Sequence, residues 1–66
     1  STNPLTIFFQ RNGITRDTSD YIRRHHEYYI QTQNGYRLKS DVLSCGKESV
    51  EKELKEIQYN VPELFV

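Results

Sequence analysis

The densest group of reactive side chains is His25-His26-Glu27, and the chain has a single cysteine, Cys45. Imidazole, thiolate and carboxylate groups are the usual metal ligands, general bases and nucleophiles. Adjacent residues point to opposite faces of a strand and diverge by about 100° on a helix, so the two histidines are poorly placed to share one ion. We therefore expect no catalytic residue, no metal site, no cofactor and no small-molecule substrate.

Arginine and tyrosine are interleaved through the middle of the chain. Aromatic rings stack on bases and guanidinium groups pair with phosphates, while the same residue types are enriched at protein interfaces. These side chains could share one face if the middle of the chain forms a sheet. The candidate contacts with a protein or nucleic-acid partner are Arg23, Arg24, Tyr28, Tyr29, Tyr36, Arg37 and Lys39.

The charges balance overall but are unevenly distributed. Nine Lys and Arg residues match nine Asp and Glu residues. Residues 1–46 have six basic and four acidic side chains, whereas residues 47–66 have three basic and five acidic ones. A protein that binds polyanions without specificity usually has a basic excess. Neutrality therefore favours a protein partner over a nucleic acid.

The residues before Gly46 have the pattern of a small sheet. Alternation of apolar and more polar side chains predicts a strand over 5–11. Asn-Gly pairs at 12–13 and 34–35 predict tight hairpin turns with positive φ, the second between strands from His26 to Gln33 and from Tyr36 to Leu43. Residues 17–33 are ambiguous between strand and partial helix. We expect a loop or one helical turn over 17–25, because Asp17-Thr18-Ser19-Asp20 is typical of turns and caps.

After Gly46 the pattern becomes helical. Val50, Leu54 and Ile57 recur at helical spacing among Lys and Glu, which predicts an amphipathic helix over 47–59. The apolar tail at 62–66 is expected to fold back over the sheet or to exchange onto a second subunit. Phe8 interrupts the polar side of the first predicted strand. The candidate dimer contacts are Phe8, Leu64, Phe65 and Val66.

We therefore predict one small α+β domain over 1–66. It has a flexible lead-in at 1–4, an antiparallel sheet of three or four strands over 5–43, and the C-terminal helix packed on one face. The element order over 26–59 resembles the arm-type DNA-binding module of tyrosine recombinases and the module of plant AP2-type factors. That resemblance implies a sheet that enters the major groove of DNA.

The predicted function is a small non-enzymatic protein that acts through protein contacts as a homodimer. A chain of this length has a marginal core, and one cysteine cannot form an internal disulfide, so self-association is the remaining way to stabilise it. No apolar run is long enough to span a membrane, and no signal peptide is recognisable, which fits the cytoplasm. The alternative function is a nucleic-acid-binding module that uses the Arg/Tyr sheet face.

Overall fold

The computed structural model describes residues 3–66, which form three α-helices and one two-stranded antiparallel sheet. The elements are α1 (Pro4–Arg11), α2 (Arg16–Arg24), β1 (Tyr29–Thr32), β2 (Gly35–Leu38) and α3 (Glu48–Asn60), with short 3-10 turns at His26–Tyr28, Ser40–Ser44 and Pro62–Leu64. The fold is α+β, but the predicted sheet of three or four strands is wrong. In residues 3–66 the element order also lacks the three strands of the DNA-binding modules named above.

Residues 4–11 are helix α1 instead of the predicted strand. Asn3 is the N-cap, because its side-chain oxygen accepts a hydrogen bond from the Leu5 N–H at 2.8 Å, and Pro4 occupies the first helical position. Leu5 and Phe9 lie one turn apart and are both buried. The predicted lead-in at 1–4 falls partly outside the described residues, and its last two residues begin this helix.

The Asn12-Gly13 pair ends α1 and does not form a hairpin turn. Gly13 has a φ of 76° and its N–H donates to the Gln10 carbonyl at 3.2 Å, while the Ile14 N–H donates to the Phe9 carbonyl at 3.0 Å. This is the Schellman arrangement at a helix C-terminus, and buried Ile14 and Phe9 belong to the same core cluster. The glycine has the predicted positive φ, but it serves a helix.

Residues 16–24 form a nine-residue helix, α2, where a loop or single turn was predicted. Thr15 is its N-cap, because the Thr15 hydroxyl oxygen accepts a hydrogen bond from the Thr18 N–H at 3.4 Å. Ile22 is fully buried, and the small residues Thr18 and Ser19 are buried beside it. The Ser19 hydroxyl donates to the Arg16 carbonyl at 2.9 Å, so its burial leaves no unpaired group.

Of the two predicted hairpins, the second is present, but it is shorter than predicted and its turn lies one residue earlier in the chain. Thr32 pairs with Gly35 and Tyr29 with Leu38, so the turn residues are Gln33 and Asn34. The φ of Gly35 is positive, as predicted, with a value of 107°. Among residues 3–66 only glycines have a positive φ. The predicted strand from Tyr36 to Leu43 ends at Leu38, and the chain then turns through Ser40–Ser44.

The predicted C-terminal helix is present as α3 and its predicted buried residues are buried, but it packs mainly against α2 and the turns at Ser40–Ser44 and Pro62–Leu64, and not on a face of the sheet as predicted. It spans Glu48–Asn60, and Val50, Leu54 and Ile57 are buried. The core contains side chains from all three helices, the hairpin and the tail. Its buried members are Leu5, Phe9, Ile14, Ile22, Leu38, Val42, Val50, Leu54, Ile57 and Leu64. Within residues 3–66, no helix is both long enough and apolar enough to cross a bilayer.

The apolar tail folds back onto the chain's own β2. Leu64 is buried, Phe65 forms a parallel bridge with Leu38, and the Val66 N–H donates to the Leu38 carbonyl at 2.8 Å. The Ser40 hydroxyl donates to the Val66 carbonyl at 3.1 Å. Of the two predicted positions for the tail, the structure has the intramolecular one.

Candidate nucleic-acid interface

Helix α2 has one buried face and one charged, exposed face. Ile22 anchors the buried face against the core. Arg16, Arg23 and Arg24 are exposed, and Asp20 is half-buried between them. At 1.5 Å per residue, the first and last of these arginines are separated by about 12 Å along the axis, close to the width of the DNA major groove. Asp17 is the remaining exposed charge on this helix.

Two of the three arginines on this face have guanidinium groups available to a partner. Arg23 is engaged, because its Nη1 lies 3.4 Å from Asp20 Oδ1 and donates to the Thr6 hydroxyl of α1 at 3.2 Å. Arg16 and Arg24 make no side-chain hydrogen bond or ion pair with any residue in 3–66. Arg23 therefore joins α1 to α2, whereas Arg16 and Arg24 remain free for a ligand.

The C-terminal end of α2 borders an open groove of about 490 Å³, which we call the Arg24 groove. It lies where the start of α1, the end of α2 and the entry into β1 meet. Its lining residues are Asn3, Leu5, Asp20, Arg23, Arg24, His26 and Tyr29. On its β1 side the Tyr29 hydroxyl lies 3.0 Å from His26 Nδ1.

The predicted Arg/Tyr set does not gather on one surface. Arg23, Arg24 and Tyr29 share the Arg24 groove, and Tyr29 also contacts Tyr36 edge-on with ring centroids 6.0 Å apart. Arg37 lies on the other face of the hairpin, since it pairs with Ile30, and its guanidinium donates to the Tyr36 carbonyl at 2.7 Å.

The two remaining members of the set lie away from the groove. The Lys39 N–H donates to the Tyr28 carbonyl at 2.9 Å at the end of the hairpin. Tyr28 stacks on Tyr21, with ring centroids 6.3 Å apart, and the His25 ring lies 4.4 Å from that of Tyr21. Partial burial raises the pKa of Tyr21 and the pKa of Tyr28 above their usual value, and nearby Cys45 and Glu27 act in the same direction.

The predicted dimer contacts pack largely within the chain. Leu64 is 3% exposed, and Phe65 is partly buried against the core. Phe8 contacts Phe9 and Tyr36, with ring centroids 5.4 and 5.8 Å away. Val66 is the exposed member, with 66% of its surface accessible.

The sequence prediction missed Arg16, because the prediction placed no helix from that residue. The signal was present, since Thr15 precedes an acidic first turn that contains Asp17. With a helix assigned from Arg16, the arginines at 16, 23 and 24 would have been recognised as one exposed face.

Comparisons with known proteins add no identification to this geometry. The chain matches no family model, and neither a curated protein nor a solved structure matches it significantly.

Proposed function

We propose that the chain is a nucleic-acid-binding domain that docks α2 in the major groove of duplex DNA. The observation that supports this most directly is the α1–turn–α2 unit. Two helices are joined by a four-residue turn, 12–15, which contains a glycine in the left-handed region. This is the length and chemistry of the turn in helix-turn-helix motifs, whose second helix reads the major groove.

The charges of α2 suit that role. Arg16 lies in the first turn, the part of a recognition helix that contacts base edges, and a guanidinium there can pair with a guanine. Asp17 lies next to it and could accept a hydrogen bond from a cytosine amino group. The acidic residues lower the net charge of the face, so binding to a mixed-sequence duplex should be strongest at low salt.

The hairpin follows α2 after the short turn at His26–Tyr28 and offers a second contact. Its turn residues Gln33 and Asn34 are exposed amides at the tip of a two-stranded ribbon. Such amides can contact base edges or phosphates. The proposal thus replaces the broad Arg/Tyr sheet face of the sequence prediction with a helix and a ribbon tip.

The test is a fluorescence anisotropy titration of a labelled mixed-sequence duplex at several salt concentrations. Arg16→Gln should weaken binding, whereas Lys55→Gln removes the same charge from the exposed side of α3 and should leave it unchanged. The logarithm of the binding constant should fall linearly with the logarithm of salt, with a slope near −0.9 per phosphate neutralised. If the duplex does not bind at 50 mM salt and micromolar protein, or if both variants weaken binding equally, the proposal is wrong.

A second candidate, contact with another protein or with a second copy of this chain, is favoured by a separate groove beside α1. It measures about 470 Å³ and is lined partly by Ile7, Phe8 and Tyr36. Ile7 is 36% exposed there, and Arg11 and Asn34 lie at its edge. Sedimentation at several concentrations tests self-association, and Ile7→Ser should abolish any dimer that uses this groove. A mass that stays monomeric at every concentration would exclude the homodimer.

A further inference from the structure

We infer that the Arg24 groove binds one phosphodiester of the nucleic-acid backbone, a step that rests on the proposed function. Base contacts are expected at the first turn of α2, whereas the groove lies at the C-terminal end of the same helix. Phosphate contacts of this kind set the register of a protein on a duplex while its other side chains read bases.

The charge of the groove fits a monoanion. Arg23 and Arg24 contribute two positive charges, and Asp20 contributes one negative charge that is already paired with Arg23 at 3.4 Å. Among these three side chains one positive charge remains, and it lies on the unpaired Arg24 guanidinium. A backbone phosphodiester has a single negative charge and presents two oxygens to a guanidinium fork.

The His26–Tyr29 pair supplies a second donor to the groove in either proton arrangement. If the Tyr29 hydroxyl donates to His26 Nδ1 across their 3.0 Å separation, the imidazole keeps its N–H at Nε2. If Nδ1–H donates instead, the hydroxyl proton of Tyr29 is free. One N–H or O–H therefore remains for an anion, beside a guanidinium that has no other partner within 3–66.

The groove favours a phosphodiester over a base. Leu5 is among its lining residues, but the polar lining consists mainly of donors, and Tyr28 and Tyr29, which could have sandwiched a base, are separated. Tyr28 stacks on Tyr21 outside the groove, which leaves Tyr29 as the only tyrosine among its lining residues. Recognition by charge and hydrogen bonds is therefore the chemistry that the groove can supply.

The experiment measures the salt dependence of duplex binding for the full chain and three variants. Arg24→Gln should reduce the steepness of the log–log plot by about 0.9, so between 50 and 200 mM salt the variant loses about three- to four-fold less affinity than the parent chain. Arg24→Lys should restore the slope, which a purely structural role would not require. The double variant His26→Phe with Tyr29→Phe keeps both rings but removes both donors of the pair, and it should weaken binding by about two- to ten-fold with an unchanged slope.

The outcomes separate this inference from the proposed function. If Arg16→Gln weakens binding but Arg24→Gln has the slope of the Lys55→Gln control, the groove does not hold a phosphodiester and the proposed function stands. If the parent chain does not bind the duplex, both are overturned. If inorganic phosphate at the same ionic strength competes as well as duplex does, the groove is a general anion site and the assignment to backbone phosphodiester is wrong.

Discussion

Glu53 of α3 accepts both of the hydrogen bonds that Thr15 can donate. The Thr15 N–H donates to Oε2 at 3.0 Å and the Thr15 hydroxyl donates to Oε1 at 2.9 Å. The same hydroxyl oxygen accepts the Thr18 N–H and so caps α2. The N-cap residue of the proposed recognition helix is thus fixed to α3 by one carboxylate, 38 positions away in the chain.

We expect Glu53→Ala to lower the free energy of unfolding by about 1 kcal/mol. Two hydrogen bonds to a charged acceptor are lost, but water can replace them because the contact is exposed. Glu56→Ala is the matched control, since it removes the same charge from an exposed position on the same helix. Urea titration of both variants measures the difference. Equal losses would mean that the contact with Thr15 does not stabilise the fold.

Leu54→Ala should be far more damaging, with a loss of about 2–5 kcal/mol. Leu54 is fully buried in the middle of α3, so truncation leaves a cavity in a small core. A loss of that size approaches the whole stability of many small domains. Circular dichroism in denaturant measures it, with exposed Lys55→Ala as the control. A loss below about 1 kcal/mol would contradict the packing of α3 described above.

The helix α3 could be predicted from sequence because only one period fits its apolar residues. Val50, Leu54 and Ile57 follow the helical spacing and are separated by charged residues. The segment before Gly13 was wrongly predicted as a strand, because Leu5 and Phe9 fit alternation as well as a one-turn helical spacing. The Asn3-Pro4 start decides in favour of the helix, because a capping side chain and a proline at the first position satisfy a helix N-terminus.

Asn-Gly pairs show a second limit of local prediction. A glycine with positive φ suits a hairpin and a helix C-terminus equally well. In this chain Gly13 ends a helix and Gly35 lies at the hairpin turn.

The candidate site could be found only if the Asn12-Gly13 pair was assigned to a helix C-terminus. Arg23 and Arg24 were named from their residue type, but their neighbours in the groove follow from the path of α2. That path is set by long-range contacts such as Thr15–Glu53, which no local pattern encodes.

Gly35→Ala should destabilise the hairpin by about 1–2 kcal/mol, because residues with a Cβ resist positive φ. Gly35 has a φ of 107°, and an added Cβ would meet no atom within 4 Å. The loss would therefore come from the backbone conformation alone. Asn34→Ala is the control at the neighbouring turn position, and thermal melts compare the two. If Gly35→Ala melts at the parent temperature, the positive φ at this position does not hold in solution.

Deletion of residues 63–66 should lower the melting temperature without changing the oligomeric state. The deletion removes buried Leu64 and the hydrogen bond from the Val66 N–H to the Leu38 carbonyl, which together cover the outer edge of β2. Val66→Ala keeps that N–H and truncates an exposed side chain, so it should have little effect. Sedimentation and melts of the three chains provide the comparison. A fall in mass on deletion would show that the tail docks between subunits instead.

Alkaline pH should destabilise the fold through Tyr21 and Tyr28. Partial burial, in the stack with His25, raises the pKa of each phenol above the ordinary value of about 10. The folded state then holds these protons more tightly than the unfolded chain does. The stabilisation is complete below the unfolded pKa and is lost as the pH rises through the higher folded pKa.

Tyrosinate absorbance should show two phenols that ionise at a higher pH in the folded chain than in urea. Tyr21→Phe should remove one of them and reduce the alkaline loss of stability measured by denaturant titration. If all the phenols of the folded chain ionise at the pH seen in urea, the stack is not formed in solution.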